Sequence, residues 1–575
     1  MSKFIILSIL AISVAAAATT TCPLAGPVFP APRRAINSTS FDKATVRFMS
    51  ELKKILRPAN GTRYTAIGPD TTSFTVQVYS IHNQQPLFEY YHTATSARNN
   101  TIGVNRVDEN TVFRTGSVSK LWAVMILLMA SGDGVLHEPV HKYIPELQHA
   151  IDELKGNETG FDEIDNVKWE EITIGEVVSQ TAGLARSYGL GDRAANPQPM
   201  VDIGFPELRD SEVPTCGFMP ACNRAEYFAG PAKRHPVVPA STSSVYSNDA
   251  YQLLGYVIES LAGDRLEDLV NERLIKRLNL TGSFYTKPTD SVGIIPGPIN
   301  ETTWGADFGD LTPTGGIYSS TKDLSTLGRA ILNHDLLSPA LTRRWMKLVA
   351  RTADRSISTG APFEVYHLNE PRAIDLFTKS GDIGAYSAMV GLSPDHEVGV
   401  TILAAGQRTT ASVAALGDLF STIIIPGLED AAKDEAKRQF AGTYISKTDK
   451  LTLATDGGSG LRITEWKSRG KNMLEALASL QWVKPEGDID VRLYPTGLKS
   501  GDKISFRAIV TAPSPTGPPN GPMTNVCVSW LTVDSPVYGS VAVDEFVFEL
   551  GQAGNAVTVS PRALRTSLRR DTSQN

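Results

Sequence analysis

Ser117 and Lys120 stand three residues apart in the stretch Gly116-Ser117-Val118-Ser119-Lys120-Leu121-Trp122. On a helix that spacing sets a hydroxyl beside an amine. A serine hydroxyl is a weak nucleophile until a nearby base takes its proton, so the pair suits acyl transfer through a covalent serine intermediate. The spacing alone identifies little. Ser40…Lys43, Ser50…Lys53, Ser319…Lys322, Ser468…Lys471 and Ser500…Lys503 share it, and chance supplies about one or two in a chain this long. Context separates Ser117. Only Lys120 runs directly into Leu121-Trp122-Ala123-Val124-Met125-Ile126-Leu127-Leu128-Met129, a stretch that as a helix would be buried. A buried helix that opens with serine and lysine needs partners for both.

Two more segments supply candidates. Tyr246-Ser247-Asn248 precedes the apolar pattern Tyr251-Gln252-Leu253-Leu254-Gly255, and Lys379-Ser380-Gly381-Asp382 ends a strand-like run. Taken in order, Ser-x-x-Lys, Tyr-Ser-Asn and Lys-Ser-Gly resemble the serine β-lactamase and penicillin-binding-protein superfamily. The middle motif is most similar to its class C β-lactamase, D-aminopeptidase and esterase branch. Two supporting stretches, Ile172–Leu184 and Pro313–Leu324, extend the resemblance over about residues 40 to 425.

The resemblance implies a role for each residue. Ser117 is the nucleophile and Lys120 its base, its proton loosened by the cation Lys379, which also supplies positive charge for a substrate carboxylate or for tyrosinate. Tyr246 is a second base and the proton shuttle to the leaving group. Asn248 orients Lys120 and the substrate amide, and Ser380, Gly381 and Asp382 contact substrate. The N–H groups of Ser117 and Asp382 form the oxyanion hole, aided by a helix starting at Ser117. Serine replaces the usual threonine of Lys-Thr-Gly, and Asp382 stands where a small neutral residue is common, which disfavours a carboxylate-bearing substrate. No cofactor or metal is implied; His137-x-x-x-His141 has ligand spacing, but Pro139 breaks the helix it needs.

The elements that must hold these residues are partly legible. Phe41 to Leu56 has the spacing of an amphipathic helix. Ser73–Ser80 alternates as a strand with Pro86–Tyr91 as its hairpin partner, and 377–379, 386–392 and 398–404 read as further strands. Strands from both ends of this region, with helices between, predict one sheet. Pro426-Gly427 reads as a break and 428–439 as a charged connector. Short strands and turns then run to about residue 560, followed by a polar tail. The expected fold is α/β in the α+β sense. A β-lactamase/transpeptidase-like domain, 36–427, has a central antiparallel sheet flanked by helices plus an all-helical region. A small β domain follows at 440–560, lipocalin-like by resemblance, with a disordered tail at 561–575.

The compartment is written in the chain as well. The 575 residues carry a net charge of −6, are 41% apolar and 20% charged, and hold no basic block suited to nucleic acid. Lys3 followed by an apolar stretch to Ala18 has the form of a signal peptide, 1–18, too short for a membrane anchor. Asn-x-Ser/Thr sequons begin at Asn37, Asn60, Asn99, Asn157, Asn279 and Asn300. The four cysteines suit an oxidising compartment. Cys216 and Cys222 enclose a short loop and form a natural local pair, leaving Cys22 for Cys527, although four cysteines allow three pairings. The expectation is a secreted, cofactor-free serine hydrolase acting on a small-molecule or short-peptide ester or amide. The alternatives are an acyltransferase acting on a secondary metabolite and an inactive ligand-binding protein of the same fold. Nothing in the residues sets an oligomeric state.

Overall fold

Phe74, Val76 and Val78 alternate with Thr75, Gln77 and Tyr79, and helices cover both faces of the strand they build. The computed structural model describes residues 22–57, 67–98, 102–155, 162–217, 220–369, 372–480, 489–511, 523, 527 and 529–573. They divide into two units, one spanning 31–431 and one that joins the segment ending at Pro30 to everything from Ala432 onward.

The larger unit is built on β1 (Thr72–Ser80), buried at every position, with β2 (Phe88–His92) as its hairpin partner. A short pair, β3 (Val112–Arg114) and β4 (Tyr318–Ser320), lies outside the main sheet. The sheet continues with β5 (Ala350–Arg351), β6 (Ile357–Thr359), β7 (Glu364–Leu368), β8 (Ile374–Ile383), β9 (Tyr386–Ser393) and β10 (Val398–Gly406). Its eight strands run in the order β2-β1-β10-β9-β8-β7-β6-β5, all antiparallel. Strands from both ends of the region thus meet at the β1–β10 pairing, as their spacing in the sequence predicts. The strands β5 to β7 are not legible from sequence, being short and half exposed.

One face of the sheet packs Phe74, Val76, Val400 and Ile402 against α1 (Thr39–Leu56). Ser38 caps that helix by accepting from the Phe41 N–H, and Phe41, Phe48 and Leu52 fill its buried stripe. The other face packs Leu392, Leu403 and Ala405 in a core shared with three helices. These are α2 (Ser119–Ser131), α3 (Asp249–Ala262) and α4 (Thr321–Leu332).

The helix α5 (Thr409–Leu419) covers the α1 side of the sheet and passes through a π turn, Phe420–Ile424, into α6 (Ile425–Phe440). Pro426-Gly427 is therefore no break. The π turn immediately before it already interrupts the regular i→i−4 ladder, and the missing Pro426 N–H is accommodated there. Gly427 lets α1 approach, since a Cβ there would lie 2.3 Å from the Ala44 Cβ. The connector read at 428–439 is the body of α6. Its apolar first half, long and apolar enough with α5 to pass for a membrane span, is core of the larger unit.

Glu429 on α6 is buried with Arg372 and His396, accepting from Arg372 Nη2 at 2.6 Å and bonded to His396 Nε2 at 2.8 Å. Burial pushes its carboxyl up, but the His396 and Arg372 partners outweigh burial and hold it at about 2. A depressed carboxylate contributes stability above its unfolded pKa, and that contribution is lost as pH falls. Acid unfolding between about pH 4.5 and 2 should therefore be shallower in Glu429→Gln than in the native chain, monitored by circular dichroism.

In the smaller unit, eight antiparallel strands close on themselves. They are β11 (Gly442–Ile445), β12 (Asp449–Ala454), β13 (Leu461–Ser468), β15 (Asp490–Ser500), β16 (Lys503–Thr511), β19 (Glu545–Leu550), β20 (Ala556–Pro561) and β21 (Leu568–Arg570). Each pairs with its neighbour in this sequence, and β21 pairs back with β11. The result is an up-and-down barrel. Two-residue strands β14 (Lys471–Asn472), β17 (Val537–Tyr538) and β18 (Val541–Ala542) are appended or lie outside it. Phe440, Trp466, Phe506, Phe546 and Phe548 pack edge to face in its core.

The tail expected to be disordered from residue 561 instead closes the barrel. Leu568 is buried, and the Arg570 guanidinium donates to the carbonyls of Arg438 and Gln439 at the end of α6. Cys216–Cys222 and Cys22–Cys527 are both bonded. The second bond lies wholly within the smaller unit, where it fixes the segment carrying Val28 and Phe29. Complete tryptic digestion without reductant should yield one peptide pair linked through Cys22 and Cys527; separate masses for those peptides would contradict the pairing. The expected leader, 1–18, and the sequons at Asn60, Asn99 and Asn157 lie outside the described residues, whereas Asn37, Asn279 and Asn300 are exposed.

Candidate active site

The first motif sits at a tight junction. Arg114 ends β3, and Gly116–Val118 forms a 3₁₀ turn before α2 begins at Ser119. Ser117 is therefore on the turn, one step ahead of the α-helix expected to start with it. Ser119 is structural: its hydroxyl donates to Gly116 O (2.7 Å) and accepts from Ile317 N (3.0 Å).

Three predicted residues gather around Ser117, and two of them, Lys120 and Tyr246, touch its hydroxyl. Lys120 Nζ donates to Ser117 Oγ at 3.1 Å, to Asn248 Oδ1 at 2.9 Å and to Thr314 O at 2.7 Å. Tyr246 Oη reaches Ser117 Oγ at 2.7 Å. Asn248 Nδ2 donates to Ser187 Oγ at 2.9 Å, which fixes the amide so that its oxygen faces Lys120. The two supporting stretches have physical work here. Gln180 brackets the Tyr-Ser-Asn turn, accepting from Ser247 N (2.6 Å) and donating to Ser247 O (3.3 Å). Thr314 supplies the carbonyl that holds Lys120. The Ser319…Lys322 pair is placed differently: Ser319 is buried against Ser283, and Lys322 reaches Asn110.

Lys120 is fully buried, and burial, reinforced by the Lys379 ammonium, lowers its pKa to about 8 despite the opposing pull of Tyr246. Burial alone would raise the Tyr246 phenol. The charges of Lys120 and Lys379, together with hydrogen bonds from Ser117 and Lys120, bring it down to about 8. Lys120, Lys379 and Arg186 place their cations 5.0, 5.5 and 5.2 Å from the Tyr246 ring centre. Lys120 and Tyr246 thus share a proton that leaves near neutral pH, the property a general base needs.

Lys379 is not free to hold a substrate carboxylate. Glu364, facing Thr378 from β7, bonds Lys379 Nζ at 2.5 Å, and that charge keeps the buried lysine protonated. The other Glu364 oxygen accepts from Ser380 N (2.9 Å) and Ser380 Oγ (2.7 Å). Both Ser380 donors are therefore engaged by Glu364. No signal in the sequence marks Glu364, an acidic residue after Pro362 in a strand too short to read.

Gly381 and Asp382 lie against the Gly116–Ser117 turn. A Cβ on Gly381 would fall 2.5 Å from Ser117 N, and one on Gly116 would fall 2.8 Å from Asp382 N. Only glycine at both positions lets β8 bring the two amides together. The Asp382 carboxylate accepts from Ser387 Oγ and Thr410 Oγ1, at 2.5 and 2.7 Å. A pocket opens beside Ser117, walled by Tyr188, Leu190, Phe308 and Leu311 and lined by Asp249 and Asp382. Gly217 in its rim is held by the Cys216–Cys222 loop. Among the described residues no cluster of three potential ligands could hold a metal ion.

The geometry fixes the sign of two substitutions. Lys379→Met removes a charge that lowers both Lys120 and Tyr246, so the pH at which Ser117 acylation rises should move up. Glu364→Gln removes a charge that raises Lys120, so it should move down. Stopped-flow acylation rates from pH 5 to 10 measure both shifts.

A mixed α/β unit with a central antiparallel sheet and this serine, lysine and tyrosine cluster defines a β-lactamase/transpeptidase-like fold. The sequence matches the family described as Beta-lactamase over residues 68–419, more than half of the chain. Residues 432–572 match the family described as Beta-lactamase-like-like, C-terminal domain. The chain belongs to the β-lactamase family, within the serine β-lactamase and penicillin-binding-protein superfamily of hydrolases. A beta-lactamase-like protein of Arthroderma benhamiae is 28% identical over 95% of each chain. The probable hydrolase M10 of a Phoma species is 25% identical over 72% of this chain and 69% of that one. Among solved structures, the β-lactamase/D-alanine carboxypeptidase of Yersinia pestis complexed with citrate is 15% identical, with a TM-score of 0.47, over 68% of this chain and 99% of that one.

Proposed function

We propose that the protein is a secreted serine hydrolase that cleaves an ester or amide through an acyl-enzyme on Ser117. One observation carries the reading: both Lys120 Nζ and Tyr246 Oη lie within hydrogen-bond reach of Ser117 Oγ. When the shared proton leaves the Lys120–Tyr246 pair, Ser117 Oγ–H donates to the pair, and Oγ attacks the substrate carbonyl carbon. The carbonyl oxygen becomes an oxyanion facing the amides of Ser117 and Asp382. Tyr246 passes the abstracted proton to the leaving group, the carbon–heteroatom bond breaks, and the acyl ester on Ser117 remains. Water then enters with the same pair as its base, and Oγ is reprotonated as the acid product leaves. The chain's own groups account for each proton.

Glu364 on Lys379 and Asp382 in the pocket disfavour a substrate that carries a carboxylate. Benzylpenicillin should therefore be turned over at least about tenfold less efficiently than a neutral p-nitrophenyl ester of similar size, a cost of about 1.4 kcal/mol; equal or greater efficiency on the penicillin would contradict this. Two disulfides and three exposed sequons support an extracellular setting. Expression in a eukaryotic secretory host, with glycosidase treatment of the culture medium, tests it: the protein should be found outside the cells and lose mass on deglycosylation.

A further inference from the structure

Asp249 is the first residue of α3 and immediately follows the Tyr-Ser-Asn motif, yet the acyl-transfer cycle makes no use of it. It lines the pocket that also contains Ser117 and Asp382, and it is only 6% exposed. One of its oxygens, Oδ1, accepts from Tyr188 N at 3.1 Å. The other, Oδ2, is buried with no hydrogen-bond partner. Among the described residues no lysine or arginine forms an ion pair with this carboxyl.

A buried carboxylate oxygen left unpaired costs about 1–3 kcal/mol. Its place in the first turn of α3 offsets part of that cost, but the Tyr188 bond does not need the charge, because asparagine would satisfy Tyr188 N equally well. Such groups persist where a ligand completes them. The pocket's charge favours one kind of ligand. Its two carboxyl side chains, Asp249 and Asp382, meet no cationic side chain in the lining, and the nearby ammonium of Lys379 is already paired with Glu364.

We propose that Asp249 is a specificity-determining residue whose free oxygen receives a primary ammonium on the substrate's acyl portion, so that the site takes aminoacyl esters or amides in preference to neutral isosteres. This deepens the proposed serine-hydrolase reading and rests on it. Asp249 would form the ion pair, Ser117 would attack the adjacent carbonyl, and the apolar wall of Tyr188 and Leu190 would exclude water from the pair. Burial raises the Asp249 carboxyl to about 6, moderated by the Tyr188 amide and Arg234. Tyr227, whose hydroxyl donates to Asp249 O, Arg234, Asn248 and Asp382 are the polar and charged groups around it. The preference should therefore weaken below about pH 6 as the carboxyl takes up a proton.

The test uses the full chain and a matched pair of substrates, alanine p-nitroanilide and its isobutyryl isostere, together with a fluorophosphonate that reports Ser117 alone. The native protein should favour the ammonium-bearing compound by about tenfold or more in kcat/KM at pH 7.5, as expected for a desolvated ion pair. Asp249→Asn, which keeps the Tyr188 bond, should bring the ratio of the two kcat/KM values to about one. The falling ratio below about pH 6 is read on the native protein and needs no variant. A ratio near one in the native protein, or one unmoved by both Asp249→Asn and acid, overturns the inference, and intact fluorophosphonate labelling in that case leaves the Ser117 reading standing. Absent labelling would remove both.

Discussion

Ser117→Ala should abolish hydrolysis, lowering kcat/KM by at least about 10⁴-fold, while leaving the fold intact. The nucleophile acts as a unit with its bases, so its loss removes the covalent route entirely, and only binding and oxyanion contacts remain. Stability should change by no more than about 1 kcal/mol. Lys120 keeps Asn248 Oδ1 and Thr314 O as acceptors when the serine hydroxyl is gone, so no buried charge is stranded. Steady-state hydrolysis of a neutral p-nitrophenyl ester, read beside a thermal melt, separates the two effects. Residual turnover above about one per cent with an unchanged melt would move the chemistry elsewhere.

The second large effect concerns the bases. Lys120→Met keeps the aliphatic stem in the buried slot, and Tyr246→Phe keeps the ring. Each should lower the acylation rate by about 100-fold or more. The double variant should be only slightly slower than the worse single one, because Lys120 and Tyr246 hand on the same proton. Both contact Ser117 Oγ directly, so either could accept its proton. Full activity in Tyr246→Phe would leave Lys120 as the sole base, and full activity in Lys120→Met would assign the role to Tyr246. In the native protein the rate should rise with pH through about 8, where both groups lose their hold on the proton.

The serine, lysine and tyrosine cluster was legible in the sequence because each member sits at a point where hydrophobic pattern and side-chain chemistry disagree. Lys120 opens a helix buried from Ser119 to Leu128, and Tyr246 and Asn248 end a polar turn before one buried from Asp249 to Ile258. Such conflicts demand partners, and the partners proved to be one another. The central sheet was legible where strands alternate over eight or more residues, as in β1, and at the β9–β10 hairpin. What escaped lies in short or mixed patterns. Glu364 occupies a five-residue strand with no run of apolar residues, and its position opposite Thr378 follows from a pairing that no local signal encodes. The continuity of α6 through Pro426-Gly427 escaped because those residues usually punctuate helices, and only the contact with Ala44 explains the glycine. The ordered C-terminal strand escaped for a related reason. Leu568–Arg570 is three residues long and polar on one side, and its place is set by β11, more than a hundred residues earlier.

The central claim is the covalent bond to Ser117. Incubating the full chain with a fluorophosphonate, digesting it and mapping the modified peptide by mass spectrometry should place a single adduct within Thr115–Lys120, on Ser117 and not on Ser119, with no adduct in Ser117→Ala. Labelling that survives in Ser117→Ala, or that maps to Ser319 or Ser119, would contradict the account.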